Sequence, residues 1–536
     1  MKKLYIYNLF CFLILFSCTN NNVKKPKLII SLVVDQMRPD LLTKYDDLYD
    51  GGFRWLIDHG KWFTNTHHEH GYTATGPGHF SIGSGQYPSK LAVLGNSFYD
   101  RDLKKIVNCV EDSKAKVIGS DKGKARSYSR YQTTALGDWI RGDYPKSKII
   151  SIGGKDRTAV MLGGRNPNLV LYWNYNGSFI SSDYYVKSLP NWVDAFNKDL
   201  NAGSYKDSLW SKSLDEEVYL KYSRRDNFKG EEDTYLNETY SPVFPIGFNK
   251  DDDPKVSLMN KPWFEREVLK LAKLAVEEEK LGLDDSPDML YVGFSAMDWM
   301  IHDYGPYSQE IMDALIKLDK YLGNFIDFID QKIGLENVLF VTTADHGGLP
   351  LPEHLEQKGE QAGRINKNIL NEALEWIDEE IEENYGKNLY YRNQTNFFLN
   401  YQLLKKREIK EENIYKIIEK YLVRVDGIEN VFKKSTILKS DSKDKIILRY
   451  KNMLHPDKSA DIFSVVSSGY TYKNPYGTGH GSPYNYDTHV PLIFSQDNLK
   501  SNKVGNHTKT VDIAATLAKI LGIKPPEICD GDALDI

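Results

Sequence analysis

Residues 337–348 read Asn337-Val338-Leu339-Phe340-Val341-Thr342-Thr343-Ala344-Asp345-His346-Gly347-Gly348. The apolar, β-branched run predicts a strand buried on both faces, as in a parallel sheet. Asp345 and His346 then fall at the strand's C-terminal end, where open α/β sheets carry their sites. The same design recurs on both sides. Leu28-Ile29-Ile30-Ser31-Leu32-Val33-Val34 runs into Asp35, and Asp288-Met289-Leu290-Tyr291-Val292-Gly293-Phe294 runs into Ser295-Ala296-Met297-Asp298. Ile149-Ile150-Ser151-Ile152 leads into Gly153-Gly154-Lys155-Asp156-Arg157, and Val490–Phe494 reads as the last strand. Helical patterns over Asp40–Ile57, Trp263–Lys280, Ile311–Ile329 and Val511–Leu521 lie between or after these strands. The expected class is α/β, with a mostly parallel central sheet and helices on both faces.

Two stretches break the alternation, at about 165–260 and 351–460, and read as insertions that cap the site. The first is rich in Tyr, Trp and Asn, and its Asn176-Gly177 is a hairpin signal. In the second, Ile365, Ile369, Ala373, Ile377 and Ile381 recur every four residues on a helix stopped near Gly386. A further helix is expected over about Glu411 to Val423, and the core is expected to resume near Ile462.

The 536 residues carry 69 Lys+Arg against 74 Asp+Glu, a net charge of −5. That balance argues against a nucleic-acid surface. Lys2 and Lys3 precede an apolar run from Leu9 to Phe16, too short to span a bilayer, so residues 1–17 read as a signal peptide. Leu15-Phe16-Ser17-Cys18 resembles a bacterial lipobox, with Cys18 as the lipidation site and 18–27 as a tether. Phe16 is bulky for that motif, which leaves simple cleavage open. Export to the periplasm or outer membrane is expected, with the membrane reached only through this anchor. Two further cysteines, Cys109 and Cys529, would then meet an oxidising compartment. A Cys109–Cys529 disulfide is the expectation; two free buried thiols are the alternative.

The chemistry centres on Gly71-Tyr72-Thr73-Ala74-Thr75-Gly76-Pro77-Gly78-His79-Phe80. Gly-Pro-Gly after Thr75 predicts a tight turn into a helix through Phe80 and Ile82, with an N-terminus suited to an anion. The plain alternative is a capping threonine. Crowded histidines in Asn65-Thr66-His67-His68-Glu69-His70 read as a local polar loop, with no role assigned to His67, His68 or His70. Lys155-Asp156-Arg157 reads either as a solvated charge cluster or as a phosphate clamp. Six groups fall at or near strand ends: Asp35, Asp298, His302, Asp345, His346 and His480. Asp298 and His302 are i,i+4 and share a helix face. Carboxylate and imidazole together suit zinc, and two metals about 3.5–4 Å apart can clamp the attacking and leaving oxygens of an in-line displacement.

Asp35, Thr75-Gly76-Pro77-Gly78-His79, Gly95-Asn96, Lys155-Asp156-Arg157, Asp298-x-x-x-His302, Thr343-Ala344-Asp345-His346-Gly347 and His480-Gly481 together resemble the alkaline phosphatase superfamily. The similarity runs from about Leu28 to Leu534, and is greatest to the PafA-type alkaline phosphatases, which use a threonine nucleophile. The resemblance implies two zinc ions per chain. Asp298, His302 and His480 would hold one; Asp35, Asp345, His346 and Thr75 would hold the other. It further implies that Asn96 and the Gly76 N–H bind phosphoryl oxygens, that Lys155 and Arg157 hold the remaining charge, and that water releases phosphate from a phosphothreonine. The implied enzyme is an exported phosphate monoester hydrolase, expected to act as a monomer. Ile301 stands where the family often has glycine, and Lys90-Leu91 where it often has His-Gly. Both departures touch loop geometry and substrate scope. The rivals are a phosphodiesterase/nucleotide pyrophosphatase, a phosphonate hydrolase or a sulfatase of the same superfamily. Thr75 stands against the sulfatase, whose nucleophile derives from cysteine or serine. A rival of another class is a non-catalytic surface lipoprotein that binds glycans through its aromatic insertions.

Overall fold

The computed structural model describes residues 23–233, 242–249 and 251–536. Cys18 and the expected signal segment lie outside the described residues, as does part of the first insertion.

Among the described residues ten strands form the central sheet: β1 (Leu28–Val34), β2 (Gly60–Phe63), β3 (Val117–Ile118), β4 (Ile149–Gly153), β5 (Leu169–Asn174), β6 (Ser178–Ser182), β7 (Asp288–Phe294), β8 (Val338–Thr343), β9 (Leu492–Ser495) and β10 (Asn502–Val504). Their spatial order is β10-β2-β9-β8-β1-β7-β4-β5-β6-β3. The block β8-β1-β7-β4-β5 is parallel throughout. Antiparallel strands flank it, with β9 on β8 and β6 on β5. Pleating sends alternate residues of β1 to opposite faces. Leu28, Ile30, Leu32 and Val34 pack with helices α3 (Trp263–Glu278) and α5 (Gln309–Ile333). Ile29 and Val33 pack with α6 (Asp512–Leu521) and with Ile82 of α1 (Thr75–Ser84). Burial on both faces is why these strands read as unbroken apolar runs.

Register decides where the site lies. Val33 is level with Thr343 on one side and Gly293 on the other, and Gly293 is level with Gly153. Four neighbouring strands therefore end flush, and the residues that follow them meet at one edge.

Several expectations are corrected. Asp40–Ile57 is not one helix but Pro39–Lys44, a short 3-10 turn and Gly52–Asp58. Gly51 and Gly52 lie directly on α5; a Cβ on Gly52 would come within 2.2 Å of Leu322 Cβ. The Asp319 carboxylate accepts from the backbone N–H groups of Asp50, Gly51 and Phe53, which starts the second helix there. The hairpin at Asn176-Gly177 forms, but as β5 and β6 of the central sheet, so the irregular segment begins only after it. Residues 23–27 lie against the body: Lys24 N–H donates to Gln496 Oε1 and Lys27 N–H to Asn337 O.

In the second insertion, Lys367–Tyr385 and Glu411–Leu422 form helices, with Gly386 at the end of the first. Its buried stripe is Leu370, Ala373, Leu374, Ile377 and Ile381, whereas Ile369 is 50% exposed. A four-residue repeat drifts around a helix of 3.6 residues per turn, so it cannot stay on one face. These helices cover an antiparallel sheet ordered Tyr390–Asn393, Asn396–Leu399, Ile462–Val466, Ile428–Lys433. Ile462–Val466 thus belongs to this sheet and not to the central one. Arg449 ties the insertion to the body, donating to Pro483 O and to both oxygens of Glu69.

The expected disulfide is absent: Cys109 and Cys529 are both free thiols. Cys109 Sγ lies against Gly76 at the start of α1, and Cys529 Sγ against Gly85 just past its end. A helix rises about 1.5 Å per residue, so α1 holds the two sulfurs well beyond bonding distance. Burial pushes the Cys109 thiol up to about 12, which leaves it inert.

Candidate active site

The polar residues that follow β1, β8, β7 and β4 converge as the flush register requires. Asp35 follows β1, Asp345 and His346 follow β8, and Lys155 follows β4. Asp298 and His302 lie one turn apart on α4 (Ala296–Tyr304), directly after β7. His480 arrives on the loop before β9. Two compact groups result: Asp298, His302 and His480, and Asp35, Asp345 and His346, with the donor atoms of each within 4.8 Å of one another.

The histidines are prepared as acceptors. Nδ1 of His302 faces Thr478 O at 2.7 Å, Nδ1 of His480 faces Thr73 O at 2.7 Å, and Nδ1 of His346 faces Gly347 O at 2.9 Å. A carbonyl only accepts, so each ring carries its proton on Nδ1 and leaves a lone pair on Nε2. Those lone pairs face carboxylates: His302 Nε2 and His480 Nε2 stand 3.5 and 3.6 Å from Asp298 Oδ1. His346 Nε2 stands 3.3 Å from Asp345 Oδ2 and 3.6 Å from Asp35 Oδ1. His346 Nε2, Asp345 Oδ2 and Asp35 Oδ1 are buried and make no hydrogen bond. Acceptors facing acceptors in a dry site repel one another unless a cation lies between them, and this donor set fits zinc.

The electrostatics agree. Burial pushes His302, His346 and His480 below the usual imidazole range, and so keeps them neutral. Burial and then the charges of Asp298 and Asp345 push the Asp35 carboxyl well up. Burial also opposes the charge on Asp298, but the adjacent Lys155 ammonium outweighs it and holds that carboxyl well down. Lys155 is 4% exposed. Its Nζ lies 2.7 Å from Asp35 Oδ2 and 2.5 Å from Asp298 Oδ2, one carboxylate from each group.

Thr75 is the first residue of α1 and is 1% exposed. It is not the cap. Ala74 takes that place with extended backbone, and Thr75 Oγ1 makes no hydrogen bond. A buried hydroxyl with no partner is costly, which points to a functional role. The helix start is held against the second group: His79, one turn on, places Nδ1 3.2 Å from Asp345 Oδ2, and Gly78 lies against the Asp345 carbonyl. A Cβ at Gly78 would come within 2.0 Å of Asp345 O. Gly78→Ala is therefore expected to cost about 1–3 kcal/mol through a forced backbone shift. Thermal unfolding checks this, and an unchanged Tm would contradict the contact.

Asn96 stands beside the threonine, but in an unexpected way. Gly76 N–H donates to Asn96 Oδ1 at 2.7 Å, so that N–H is engaged within the protein. The Asn96 Nδ2 amide is the donor this pairing leaves over. Arg157 lies in the first turn of α2 (Asp156–Gly163). Asp156 does not form a solvated cluster with its neighbours, because its Oδ2 pairs with Arg126 Nε at 2.6 Å. Arg157 NH1 lies 3.4 Å from Asp156 Oδ1, and its Nε has no partner among the described residues. Burial opposes the charge on Arg157, but the neighbouring Asp156 carboxylate supports it and the guanidinium is held above its usual range.

His67, His68 and His70 join neither group, yet all are buried rather than solvated. His68 braces the site from behind, with Nε2 3.0 Å from Ala344 O and Nδ1 2.9 Å from Thr510 Oγ1. His67 stacks on His489 at 4.7 Å. Two residues given no role from sequence belong to the site, His79 and Gln36. His79 carried a signal in its i,i+4 spacing from Thr75; Gln36 had only its place beside Asp35.

The type I phosphodiesterase / nucleotide pyrophosphatase family matches residues 29–492, a span that takes in every residue of both groups. The chain belongs to that family. Within the family it groups with alkaline phosphatases. Alkaline phosphatase PhoV of Synechococcus elongatus is 32% identical over 94% of this chain and 91% of its own. Alkaline phosphatase PafA of Elizabethkingia meningoseptica is 28% identical over 94% and 93%. The crystal structure of wild-type PafA superimposes with a TM-score of 0.87 at 27% identity, covering 96% of this chain and 99% of that one. The fold is thus the alkaline phosphatase fold. A relative from Myroides odoratus, 28% identical over 98% and 97%, carries the name calcium-transporting ATPase. Among the described residues of this chain no helix is long and apolar enough to cross a membrane. The family departure at Ile301 is a fully buried residue of α4 whose carbonyl accepts from Gly305 N–H.

Proposed function

We propose that the chain is an exported phosphate monoester hydrolase, an alkaline phosphatase that holds two zinc ions and passes the phosphoryl group through Thr75. One observation carries the reading: a buried hydroxyl without a hydrogen bond starts a helix packed on Asp35, Asp345 and His346, whose buried acceptors face one another unpaired in one of the two ligand groups. The names of the alkaline phosphatase relatives support the substrate class. Zinc bound by the two groups would acidify the threonine hydroxyl and a water, and neutralise charge on the leaving oxygen.

The residues divide the remaining work. Asp298, His302 and His480 form one zinc site, and Asp35, Asp345 and His346 the other, with Thr75 beside it. Asn96 Nδ2 donates to a phosphoryl oxygen and, through Oδ1, holds the Gly76 N–H and so the start of α1. Lys155 and Arg157 supply positive charge for the dianion, and the Arg157 fork suits two phosphoryl oxygens. Water on the opposite side of phosphorus then releases phosphate from Thr75. The protein acts as a monomer on small phosphate esters.

Metal counting by plasma emission is expected to give two zinc ions per chain. Asp345→Ala and His480→Ala should each lose one and abolish turnover of an aryl phosphate. Full occupancy in both variants would refute the ligand sets. The N-terminus is proposed to be processed at Cys18 and lipidated, placing the enzyme in the periplasm or on the outer membrane. Mass spectrometry of the protein from a bacterial envelope should show a lipid-modified Cys18. A free N-terminus downstream of Cys18 would refute the anchor.

A further inference from the structure

Gln36 directly follows Asp35 and is fully buried. Its φ is +63°, in the left-handed region that an unbranched residue other than Gly, Asn or Asp seldom adopts. Such backbone persists where the surroundings hold it in place, and it clusters at functional sites. Two contacts hold it here. The backbone N–H, turned by this φ, donates to Asp345 Oδ1 at 3.1 Å. The side-chain amide, with nitrogen toward its acceptors, donates to Asp298 O at 3.2 Å and to Asp298 Oδ1 at 2.8 Å. A third feature is independent of these bonds. Gly348 lies against the amide so closely that a Cβ there would come within 2.2 Å of its other terminal atom, which is Oε1 in this orientation. The neighbouring loop leaves room for this amide by omitting a side chain.

One residue thus touches a carboxylate of each group: Asp345 through its backbone and Asp298 through its side chain. A carboxylate oxygen has two lone pairs. At Asp298 Oδ1, one meets the Gln36 amide while the other faces His302 and His480. The Asp298 Oδ2 atom is taken by Lys155. The amide therefore fixes how Asp298 is rotated toward its two histidines. We infer that Gln36 is a positioning residue that orients Asp298 as a metal ligand and links the two cation sites across the sheet edge. This rests on the two groups being cation sites, as proposed above.

Outer hydrogen bonds of this kind typically set metal affinity by roughly ten- to a hundredfold. Two variants separate the amide from the backbone. Gln36→Met keeps the volume and removes the amide; Gln36→Gly removes the amide and relieves the left-handed backbone. Zinc would be titrated against a chelator of known affinity on the full-length protein, with thermal unfolding of the metal-free form recorded beside it. Both variants are expected to weaken one ion by roughly ten- to a hundredfold and leave the other near its original affinity. In a His480→Ala background, which retains only the second ion, Gln36→Met should change affinity little. The metal-free Gly variant should be at least as stable as the Met variant. Two ions at unchanged affinity in Gln36→Met, or equal weakening of both, would overturn the assignment while leaving the zinc hydrolase reading intact. A parent protein that binds no zinc would overturn both.

Discussion

Thr75→Ala is expected to lower monoester turnover by roughly three decades or more while leaving the fold unchanged. The structure makes that combination sharp. Thr75 Oγ1 makes no hydrogen bond, and the N-cap of α1 is Ala74, so removing the hydroxyl costs neither a bond nor a cap. Thermal unfolding of the metal-free variant should match the parent, and both zinc ions should remain. Thr75→Ser keeps the nucleophile without the methyl group that restricts its rotamers, and should retain partial turnover. A Thr75→Ala variant that stays active, or one that loses activity together with its fold, would contradict the nucleophile role.

Lys155→Ala/Arg157→Ala carries the second large effect. A monoester presents two negative charges on its non-bridging oxygens and a diester one. Two cations over those oxygens favour the monoester in a dry site. A hydrogen bond to a charged group is worth about 1.5–3 kcal/mol, so the double variant should lose several decades of kcat/KM on a monoester and much less on a matched diester. Lys155 has a second job, because its Nζ pairs with Asp35 and Asp298. Removing it leaves two buried carboxylates without their cation, expected to cost about 3–5 kcal/mol in the metal-free protein. The ratio of the two substrates, measured on zinc-loaded protein, separates these effects. Arg157→Ala alone should move the ratio in the same direction with little loss of stability. An unchanged ratio in both variants would remove the preference for monoesters and favour the diesterase side of the family.

Much of the site was legible because burial and chemistry leave different marks. Val338–Thr343, Leu28–Val34 and Asp288–Phe294 are buried on both faces, so they are apolar without interruption. A carboxylate at the end of such a run stands out. The register that levels those ends is a long-range property, and no local pattern carries it. The break in Asp40–Ile57 comes from Gly51 and Gly52 lying on α5, a partner more than 250 residues away, where α5 spans Gln309–Ile333. The disulfide expectation failed because a cysteine count holds no distance, and α1 separates the two sulfurs. The Gly76 N–H was expected to meet substrate, yet only the structure shows Asn96 Oδ1 taking it. Gln36 was invisible for a like reason. Its left-handed backbone is imposed by Asp345, Asp298 and Gly348, none of them near it in sequence.

The most direct measurement is a rapid acid quench of the zinc-loaded enzyme during turnover of an aryl phosphate, followed by peptide mass spectrometry. The expected result is one phosphate, on Thr75 alone, that disappears once substrate is exhausted and is absent from Thr75→Ala. An unmodified Thr75 during steady turnover, with zinc fully loaded and phosphate on another residue or on none, would contradict a threonine nucleophile at this site.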